Sequence, residues 1–341
     1  MAEAVAALPR ASLRLPSVPR VRVRRGGAQV PFALLALAVS ASLVTWSDGL
    51  DWTPDRMLLV FLAPALVLRR GLRYLRDFAP FAILIFAYAE CRGLAHVIAP
   101  HPYYRPQLWL EQHLFGTVPA EWLQAHFWHG TMRWYDTFAA KLLNFHFVVP
   151  PVVAFALWSK QRTLFFRFAT SMIVLSFASA VVFLVFPSAP PWAAAQKGLL
   201  DSLVKLPPVN DVSSLAGGTH LVPANPYAAI PSLHAGYAFL VALTVAGLLR
   251  ESRVRGRRLL AGLCFLYPAA QSLAVVYTGN HYIVDILVGF AFAWAAYALT
   301  KRVFDQGRRG LGASGRTRSA RTVWTLTAGN ADGHARFARV S

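Results

Sequence analysis

Long apolar stretches alternate with short polar segments along this chain. Eight of the stretches are long enough to cross, or nearly cross, a bilayer as a helix of roughly 20 residues. They lie at residues 31–46, 57–68, 79–99, 143–158, 166–186, 228–249, 259–278 and 281–300. The first two are the shortest, a mismatch that a bilayer accommodates by thinning or by the snorkelling of flanking side chains. The pattern predicts an all-α, polytopic membrane protein with about eight transmembrane helices.

The composition agrees with this class of protein. Of the 341 residues, 56% are hydrophobic and only 14% are charged, which is too apolar for a soluble domain of this size. The formal net charge is +19, but the basic residues lie between the apolar stretches, so we expect no nucleic-acid partner. The two cysteines, Cys91 and Cys264, lie inside apolar stretches and are too few for a disulfide framework or a thiolate metal site.

The basic residues also predict the orientation in the membrane. If the N-terminus is cytoplasmic, the cytoplasmic segments contain 27 of the 34 lysines and arginines, as the positive-inside rule requires. We therefore expect a multi-pass cell-membrane protein with both termini in the cytoplasm. The twin arginines Arg24 and Arg25 before the first apolar stretch leave an export signal as an alternative.

These features divide the chain into four parts. They are a basic cytoplasmic segment (1–30), two accessory transmembrane helices (31–78), a core (79–302) and a basic cytoplasmic tail (303–341). The tail is rich in Gly, Arg, Ser and Thr, so we expect it to be disordered. Two long outer loops, 100–142 and 187–227, would cover a site that opens on their side, and amphipathic patches in the first predict short interfacial helices.

Two ionisable residues at the start of the last apolar stretch mark a candidate site. In YTGNHYIVDILVGF, His281 and Asp285 are four residues apart and would lie on one helical face, about 6 Å apart at Cβ. The carboxylate can accept one ring N–H, which leaves the other ring nitrogen as a directed nucleophile or base. An aspartate at membrane depth costs on the order of 3 kcal/mol, a cost normally tolerated at a functional site. A structural pair is the alternative for this motif when it is considered alone.

A second polar cluster lies in NPYAAIPSLHAGYAF. Pro231 suits the first turn of a helix, Ser232 can cap that helix, and the free N–H groups of the turn can hold an anion. His234 would exchange a proton with that anion. Gly279 and Asn280, in the hinge before the last helix, would add further backbone donors for it.

Together these motifs resemble the type 2 phosphatidic acid phosphatase superfamily, in particular its branch of inositol phosphorylceramide synthases and actinobacterial membrane phosphatases. AAIPSLHAGYAF and TGNHYIVDILVG carry the specific part, and FPSAPPW, NFHFVVPP and ECRGLA extend it over roughly residues 80–300. The resemblance implies a six-helix core in which His281 forms a phosphohistidine, Asp285 orients it and His234 is the general acid. It also implies that Ser232 and its turn bind phosphate oxygens, and that neither a metal nor a cofactor takes part.

The chain departs from the pattern of the soluble and eukaryotic-type members. Those members carry an arginine six residues before the nucleophilic histidine, where this chain has Val275, and a lysine where it has Ile98. A transferring phosphoryl group needs positive charge nearby. Arg92, in ECRGLA, is our candidate for this phosphate ligand. An ion pair with Glu90 is the alternative, although residues i and i+2 do not face each other on a helix.

Further histidines leave other interpretations open. His146, near the outer end of the fourth apolar stretch (143–158), either lines the site or packs between helices. Five more lie in or beside the first outer loop, with spacings that argue against a zinc site. They are His96, His101, His113, His126 and His129.

We therefore expect a lipid phosphatase that acts on a membrane lipid bearing a phosphate or diphosphate, at the extracytoplasmic face. An alcohol such as inositol in place of water as the acceptor would make it a phosphotransferase. A proton- or ion-coupled transporter that uses His234, His281 and Asp285 as a relay is the alternative from another class.

Overall fold

The structure is a computed structural model that describes residues 29–48, 54–201, 203–206, 225–318, 325–327 and 336–338. The described residues form twelve helices and one short pair of strands. The helices are α1 (Gln29–Asp48), α2 (Pro54–Val67), α3 (Gly71–Ile98), α4 (Arg105–Phe115), α5 (Pro119–Phe127), α6 (Trp134–Lys160), α7 (Arg162–Val185), α8 (Pro191–Gln196), α9 (Leu233–Glu251), α10 (Arg257–Leu263), α11 (Leu266–Tyr277) and α12 (Ile283–Arg318). Strands β1 (Thr325–Thr327) and β2 (Arg336–Ala338) pair antiparallel, with Leu326 opposite Phe337.

In the described part of the chain, six helical segments are long and apolar enough to span a membrane. They are α3, α6, α7, α9, the consecutive pair α10–α11, and α12 as far as Gln306. Helices α1 and α2 contain shorter apolar segments, Pro31–Ser42 and Arg56–Val67, and they pack against each other. The prediction of an all-α, polytopic membrane protein is confirmed, and its first two predicted spans are the short ones.

Two spans begin about two helical turns earlier than the apolar pattern predicts. Helix α3 starts at Gly71 instead of residue 79, and α6 starts at Trp134 instead of residue 143. The added turns contain arginine or lysine, which are good helix formers and can extend their charged ends to water. The long first outer loop is correspondingly shorter, and it contains α4 and α5, the short helices that its amphipathic patches predict.

An aromatic cluster lies where α2 meets α3 and α6 meets α7. Phe78 stacks on Phe165 with a centroid distance of 4.4 Å, next to the buried Trp158. Asp77 binds Arg162 through both carboxylate oxygens, at 2.6 and 2.5 Å, and accepts the indole N–H of Trp158 at 2.9 Å. A bidentate arginine–carboxylate pair is strong and directional, so it ties α3 to α7 at this end of the bundle, and the indole bond adds α6.

A second apolar cluster lies at the opposite end, beneath the outer loops. Leu108 of α4 and Val118, at the start of α5, pack with Val276, at the end of α11, and with Ile286 in the first turn of α12. The outer-loop helices therefore bury one face against the helix ends that carry the predicted motifs.

The described part of the C-terminal tail contains helix and strand. Helix α12 continues past the membrane-spanning segment to Arg318, and β1 pairs with β2 beyond it. An existing helix adds one hydrogen bond for each further residue, and alanine and arginine favour this extension. The basic N-terminal segment 1–28 and residues 207–224 of the second outer loop lie outside the described residues.

Candidate active site

The site forms where the N-termini of α9 and α12 meet. Ser232 is the N-cap of α9, and its backbone N–H donates to the carbonyl oxygen of Asp285 at 2.9 Å. This approach requires a glycine, because a Cβ on Gly289 would lie 2.4 Å from the carbonyl oxygen of Ser232. The contact brings the two motifs, far apart in the chain, to the same level of the bundle.

His234 and His281 are in direct contact at this junction. Nδ1 of His234 lies 3.0 Å from Nε2 of His281, and the ring centroids are 5.1 Å apart. A hydrogen bond between two imidazoles needs a proton on one nitrogen and a lone pair on the other. The pair therefore brings a donor nitrogen and an acceptor nitrogen of two different helices' ends into one hydrogen bond.

Asp285 lies on the other side of the His281 ring. Its Oδ2 is 3.5 Å from Nδ1 of His281 and accepts the backbone N–H of Tyr282 at 2.9 Å. Both side chains are buried. The two side chains are adjacent, but Nδ1 of His281 has no hydrogen-bond partner among the described residues. They do not share one helical face, because His281 lies two residues before α12 begins. With the carboxylate facing Nδ1, the lone pair of Nε2 points towards His234.

A third histidine lies against this pair. The ring of His146, on α6, has its centroid 4.0 Å from that of His234. Its Nδ1 is 2.5 Å from the carbonyl oxygen of Leu143, so Nδ1 carries the proton and Nε2 is an acceptor. The sequence left open whether this residue packs between helices or lines the site, and the structure places it in contact with His234.

Arg92 supplies positive charge on the same side of the bundle. Its guanidinium donates to the carbonyl oxygen of Asn225 at 3.1 Å, and its charge acts on the rings of His146 and His234. Val275, at the position where the resemblance implies an arginine, is fully buried and apolar. The predicted cationic residue thus lies near the histidines, on α3.

Ser232 has a local role that the sequence only partly predicts. Its side-chain oxygen accepts the backbone N–H of Ala235 at 3.4 Å, as expected of an N-cap. Pro231 precedes the cap, whereas we predicted it inside the first turn. Because Ser232 uses the N–H of Ala235, the donors of this turn that it does not use belong to Leu233 and His234.

The hinge does not offer the predicted phosphate donors. The N–H of Gly279 donates to the carbonyl oxygen of Val276 at 2.9 Å, and that of Asn280 donates to Val275 at 2.9 Å. These bonds close the last turn of α11, and Gly279 adopts the positive φ of +75° that reverses the chain there. The hinge therefore delivers His281 to the site, and its N–H groups are not available to an anion.

Three anchoring residues were missed by the sequence analysis. Ser188, from FPSAPPW, accepts the N–H of Ile230 at 3.1 Å and so holds the segment that enters α9. Glu111 of α4 accepts the N–H of Ile283 at the start of α12. Their signals were local: a serine in a proline-rich turn and an acidic residue on an apolar helix face.

Gln124, the third, joins the outer loops to the end of α11. Its Nε2 donates to the carbonyl oxygens of Val204 and Tyr277, both at 2.8 Å, and its Oε1 accepts the N–H of Val204 at 2.9 Å. All of its amide atoms are therefore used to hold the hinge in place.

Among the described residues, no group of three or more His, Cys, Asp or Glu side chains is arranged to hold a metal ion.

Comparison with known proteins gives a family and one relative. A family model described as the PAP2 superfamily matches residues 107–299. Over 208 residues the chain is 27% identical to a phosphoinositol dihydroceramide synthase of Bacteroides thetaiotaomicron. The aligned region covers 54% of this chain and 62% of the relative. No solved structure gives a significant match. Since the family match covers more than half of the chain and contains His234, His281 and Asp285, this protein belongs to the PAP2 superfamily.

Proposed function

We propose that this protein removes or transfers the phosphate group of a membrane lipid through a phosphohistidine on His281. The observation that carries the proposal is the 3.0 Å contact between Nε2 of His281 and Nδ1 of His234 beside a buried Asp285. It combines a nucleophile, a proton donor and an orienting carboxylate. The family assignment makes the chain a phosphoric ester hydrolase or phosphotransferase.

The first step forms the covalent intermediate. Nε2 of His281 attacks phosphorus with its lone pair while Asp285 faces the protonated Nδ1. The bond from phosphorus to the lipid oxygen breaks, and that oxygen keeps the electron pair and takes a proton from the imidazolium form of His234, which becomes neutral. In the structure the two ring nitrogens bind each other, so an entering phosphate takes the place of this hydrogen bond.

The second step releases the phosphate group from the protein. A water or alcohol O–H gives its proton to His234, and the resulting oxygen nucleophile attacks phosphorus. The phosphorus–nitrogen bond breaks, its electron pair returns to His281, and both histidines regain their starting protonation. Arg92 and the first-turn N–H groups of Leu233 and His234 would hold the phosphate oxygens, where donors stabilise the charge of the transition state.

Two acceptors are compatible with these residues. Water would make the protein a phosphatase of a lipid phosphate or diphosphate. An alcohol would make it a phosphotransferase, and the similarity to a phosphoinositol dihydroceramide synthase favours this second candidate. Because both reactions share the first step, the same histidines serve either one.

The placement of the charges supports an extracytoplasmic site. Four arginines between α2 and the first turns of α3 lie at the end of the bundle opposite the histidines. They are Arg69, Arg70, Arg73 and Arg76. By the positive-inside rule this end is cytoplasmic. A transporter with the same residues as a relay is less compatible, since the three ionisable groups cluster at one end of their helices and do not line a path across the bilayer.

Trapping the intermediate tests the proposal. Purified protein in detergent would be mixed with phosphatidic acid, a polyprenyl diphosphate or phosphatidylinositol, each radiolabelled at phosphorus. The wild type is expected to acquire an acid-labile, base-stable label, and His281→Gln none. His113→Gln, which changes an exposed histidine of α4, is the matched control and should label normally.

Product analysis separates the two acceptors. Release of inorganic phosphate indicates hydrolysis, and a new labelled lipid that requires an added alcohol indicates transfer. Labelling of His281→Gln at the wild-type level, or turnover of a lipid phosphate without any labelled protein, would contradict the phosphohistidine mechanism.

A further inference from the structure

Glu111 is a buried carboxylate that the proposed mechanism does not use. It lies on α4, in the first outer loop, with 0% of its surface exposed. Its Oε1 accepts the backbone N–H groups of Ile283 and, at 3.4 Å, of Val284. These are the first two residues of α12. Tyr282, which precedes them, has no side-chain oxygen near enough to its own backbone to act as a cap, so α4 supplies the cap that the local sequence lacks.

Two carboxylates therefore share one helix N-terminus. Asp285 binds the N–H of Tyr282 through Oδ2, and Glu111 binds the next two N–H groups. The helix dipole and the unpaired donors favour negative charge at this end. The second oxygens, Oε2 of Glu111 and Oδ1 of Asp285, are buried without a partner among the described residues. An unpaired buried polar atom is expensive, and such atoms in native proteins often mark a function.

We propose that Glu111 is a positioning residue for phosphate transfer, holding the first turn of α12 so that Asp285 faces His281. The inference rests on the proposed function of His281. It assigns a specific role to α4: the helix that covers the site also sets the geometry of the nucleophile. A displacement of about 1 Å in a reacting group can cost about 100-fold in rate. Loss of the cap that the outer loop supplies should therefore lower the rate strongly.

The protonation of Glu111 matters to this role. Burial raises its pKa to about 7, the nearby charge of Asp285 acts in the same direction, and the N–H groups of Ile283 and Val284 oppose the shift. Asp285 and Tyr282 are the titratable groups that face it. Below pH 7 Glu111 is neutral and its oxygen can still cap α12, so Asp285 is the only one of the two carboxylates that carries charge beside His281. Above pH 7 a second negative charge would lie next to the site of an anionic substrate.

Three variants separate positioning from general stability. Glu111→Leu removes the cap, Glu111→Gln keeps an acceptor oxygen without charge, and Glu121→Leu is the matched control. Glu121 also accepts a backbone N–H in the outer loops, that of Asp201 at 2.9 Å, and in the described part of the chain it makes no hydrogen bond to α12. Turnover of a lipid phosphate and the melting temperature in detergent would be measured for each across pH 5.5–8.5, a window of roughly 1.5 pH units on either side of this pKa.

The expected pattern is specific to a positioning residue. Glu111→Leu should lower kcat about 100-fold with KM changed less than about threefold. Glu111→Gln should recover kcat to within about tenfold of the wild type and lose any decline in activity centred near pH 7. Glu121→Leu should remain within about twofold. If Glu111→Leu is not recovered folded, Glu111→Asp, whose carboxylate is one methylene shorter, replaces it in the comparison with Glu111→Gln.

A readout without turnover keeps the inference separate from the proposed function. In protein labelled with nitrogen-15 histidine, the His281 ring signals, assigned by their loss in His281→Gln, report which ring nitrogen carries the proton. They should shift in Glu111→Leu and stay unchanged in Glu111→Gln and Glu121→Leu. Unchanged His281 signals in Glu111→Leu, or equal losses of kcat in Glu111→Leu and Glu121→Leu, would overturn the inference. A shift in Glu111→Leu with no phosphate transfer by the wild type would instead overturn the proposed function.

Discussion

Gly289 allows the backbone of Ser232 to rest directly on α12. A Cβ at position 289 would lie 2.4 Å from the carbonyl oxygen of Ser232 and 3.4 Å from its nitrogen. Ser232 is in turn bound to the carbonyl oxygen of Asp285 at 2.9 Å. The distance between the segments that carry His234 and His281 thus depends on the absence of a Cβ at position 289.

Gly289→Ala should push α9 away from α12. Because the obstacle is backbone and not a flexible side chain, we expect destabilisation of about 1–3 kcal/mol, as for overpacked cores. Turnover should fall with it, since His234 and His281 would separate. Gly262→Ala in α10 is the control, where no atom lies within 4 Å of an added Cβ; it should keep or raise the melting temperature. Equal melting temperatures and activities in both variants would show that this contact is not close in the functional protein.

Arg92→Gln should remove the cationic phosphate ligand. Loss of a donor aimed at transition-state charge costs about 100- to 1000-fold, so kcat/KM should fall in that range. Arg92→Lys should recover only part of it, because lysine lacks the planar donor fork of arginine. Arg105→Gln, an exposed arginine of the same outer region, should stay close to the wild type. The measurement is steady-state kinetics of lipid turnover. Normal kinetics in Arg92→Gln would exclude Arg92 as the cationic phosphate ligand.

His146→Phe keeps an aromatic ring beside His234 but removes both ring nitrogens. If His146 holds His234 in position, kcat should drop about 10- to 100-fold while the melting temperature changes little. His126→Phe is the control, because His126 also binds a backbone carbonyl four residues earlier, at 2.8 Å, but is exposed. A loss of stability without a loss of turnover would instead assign His146 to helix packing.

Gln124→Leu should loosen the hinge that precedes His281. The leucine side chain leaves the N–H of Val204 and the carbonyl oxygen of Tyr277 without a hydrogen-bond partner, and each buried unpaired group costs about 1–3 kcal/mol. We expect a lower melting temperature and faster proteolysis of the outer loops. Gln112→Leu changes an exposed glutamine of α4 and is the control. Equal stability of the two variants would mean that water replaces the amide of Gln124.

Stability should fall as the pH rises through the range in which Glu111 ionises. Burial raises the pKa of its carboxyl from the ordinary 4.5 to about 7, so between these values the native state holds a proton that the unfolded state has lost. This contribution is fully present below about pH 4.5 and lost above about pH 7, a difference on the order of 3 kcal/mol. Glu111→Gln should lack this component. Parallel melting curves of both proteins from pH 5 to 8, about the range in which the carboxyl titrates, would contradict the raised pKa.

The positions and lengths of the apolar stretches were enough to predict most of the spans. Their ends were less predictable, as the early starts of α3 at Gly71 and α6 at Trp134 show. A hydropathy pattern reports where side chains leave the hydrocarbon region, whereas a helix ends where its backbone hydrogen bonds stop. Charged residues at these two starts continue the helix into water.

The residues of the candidate site were found in the sequence by local chemistry. Histidine and aspartate near helix starts, with serine, proline and glycine beside them, are features that a short segment reveals. Their surroundings were harder to predict. The expected donors of Gly279 and Asn280 are used within α11, because the chain reversal needs them to close its last turn.

Membrane insertion, helical class and the identity of the candidate reactive side chains follow from the order of residues, since hydrophobicity, helix length and acid–base chemistry are local properties. The meeting of His234, His281 and His146, and the anchoring of the hinge and α12 by Gln124 and Glu111, arise from the packing of distant segments. An amphipathic helix reveals which of its faces is buried, but the partner of that face depends on where every other helix lies.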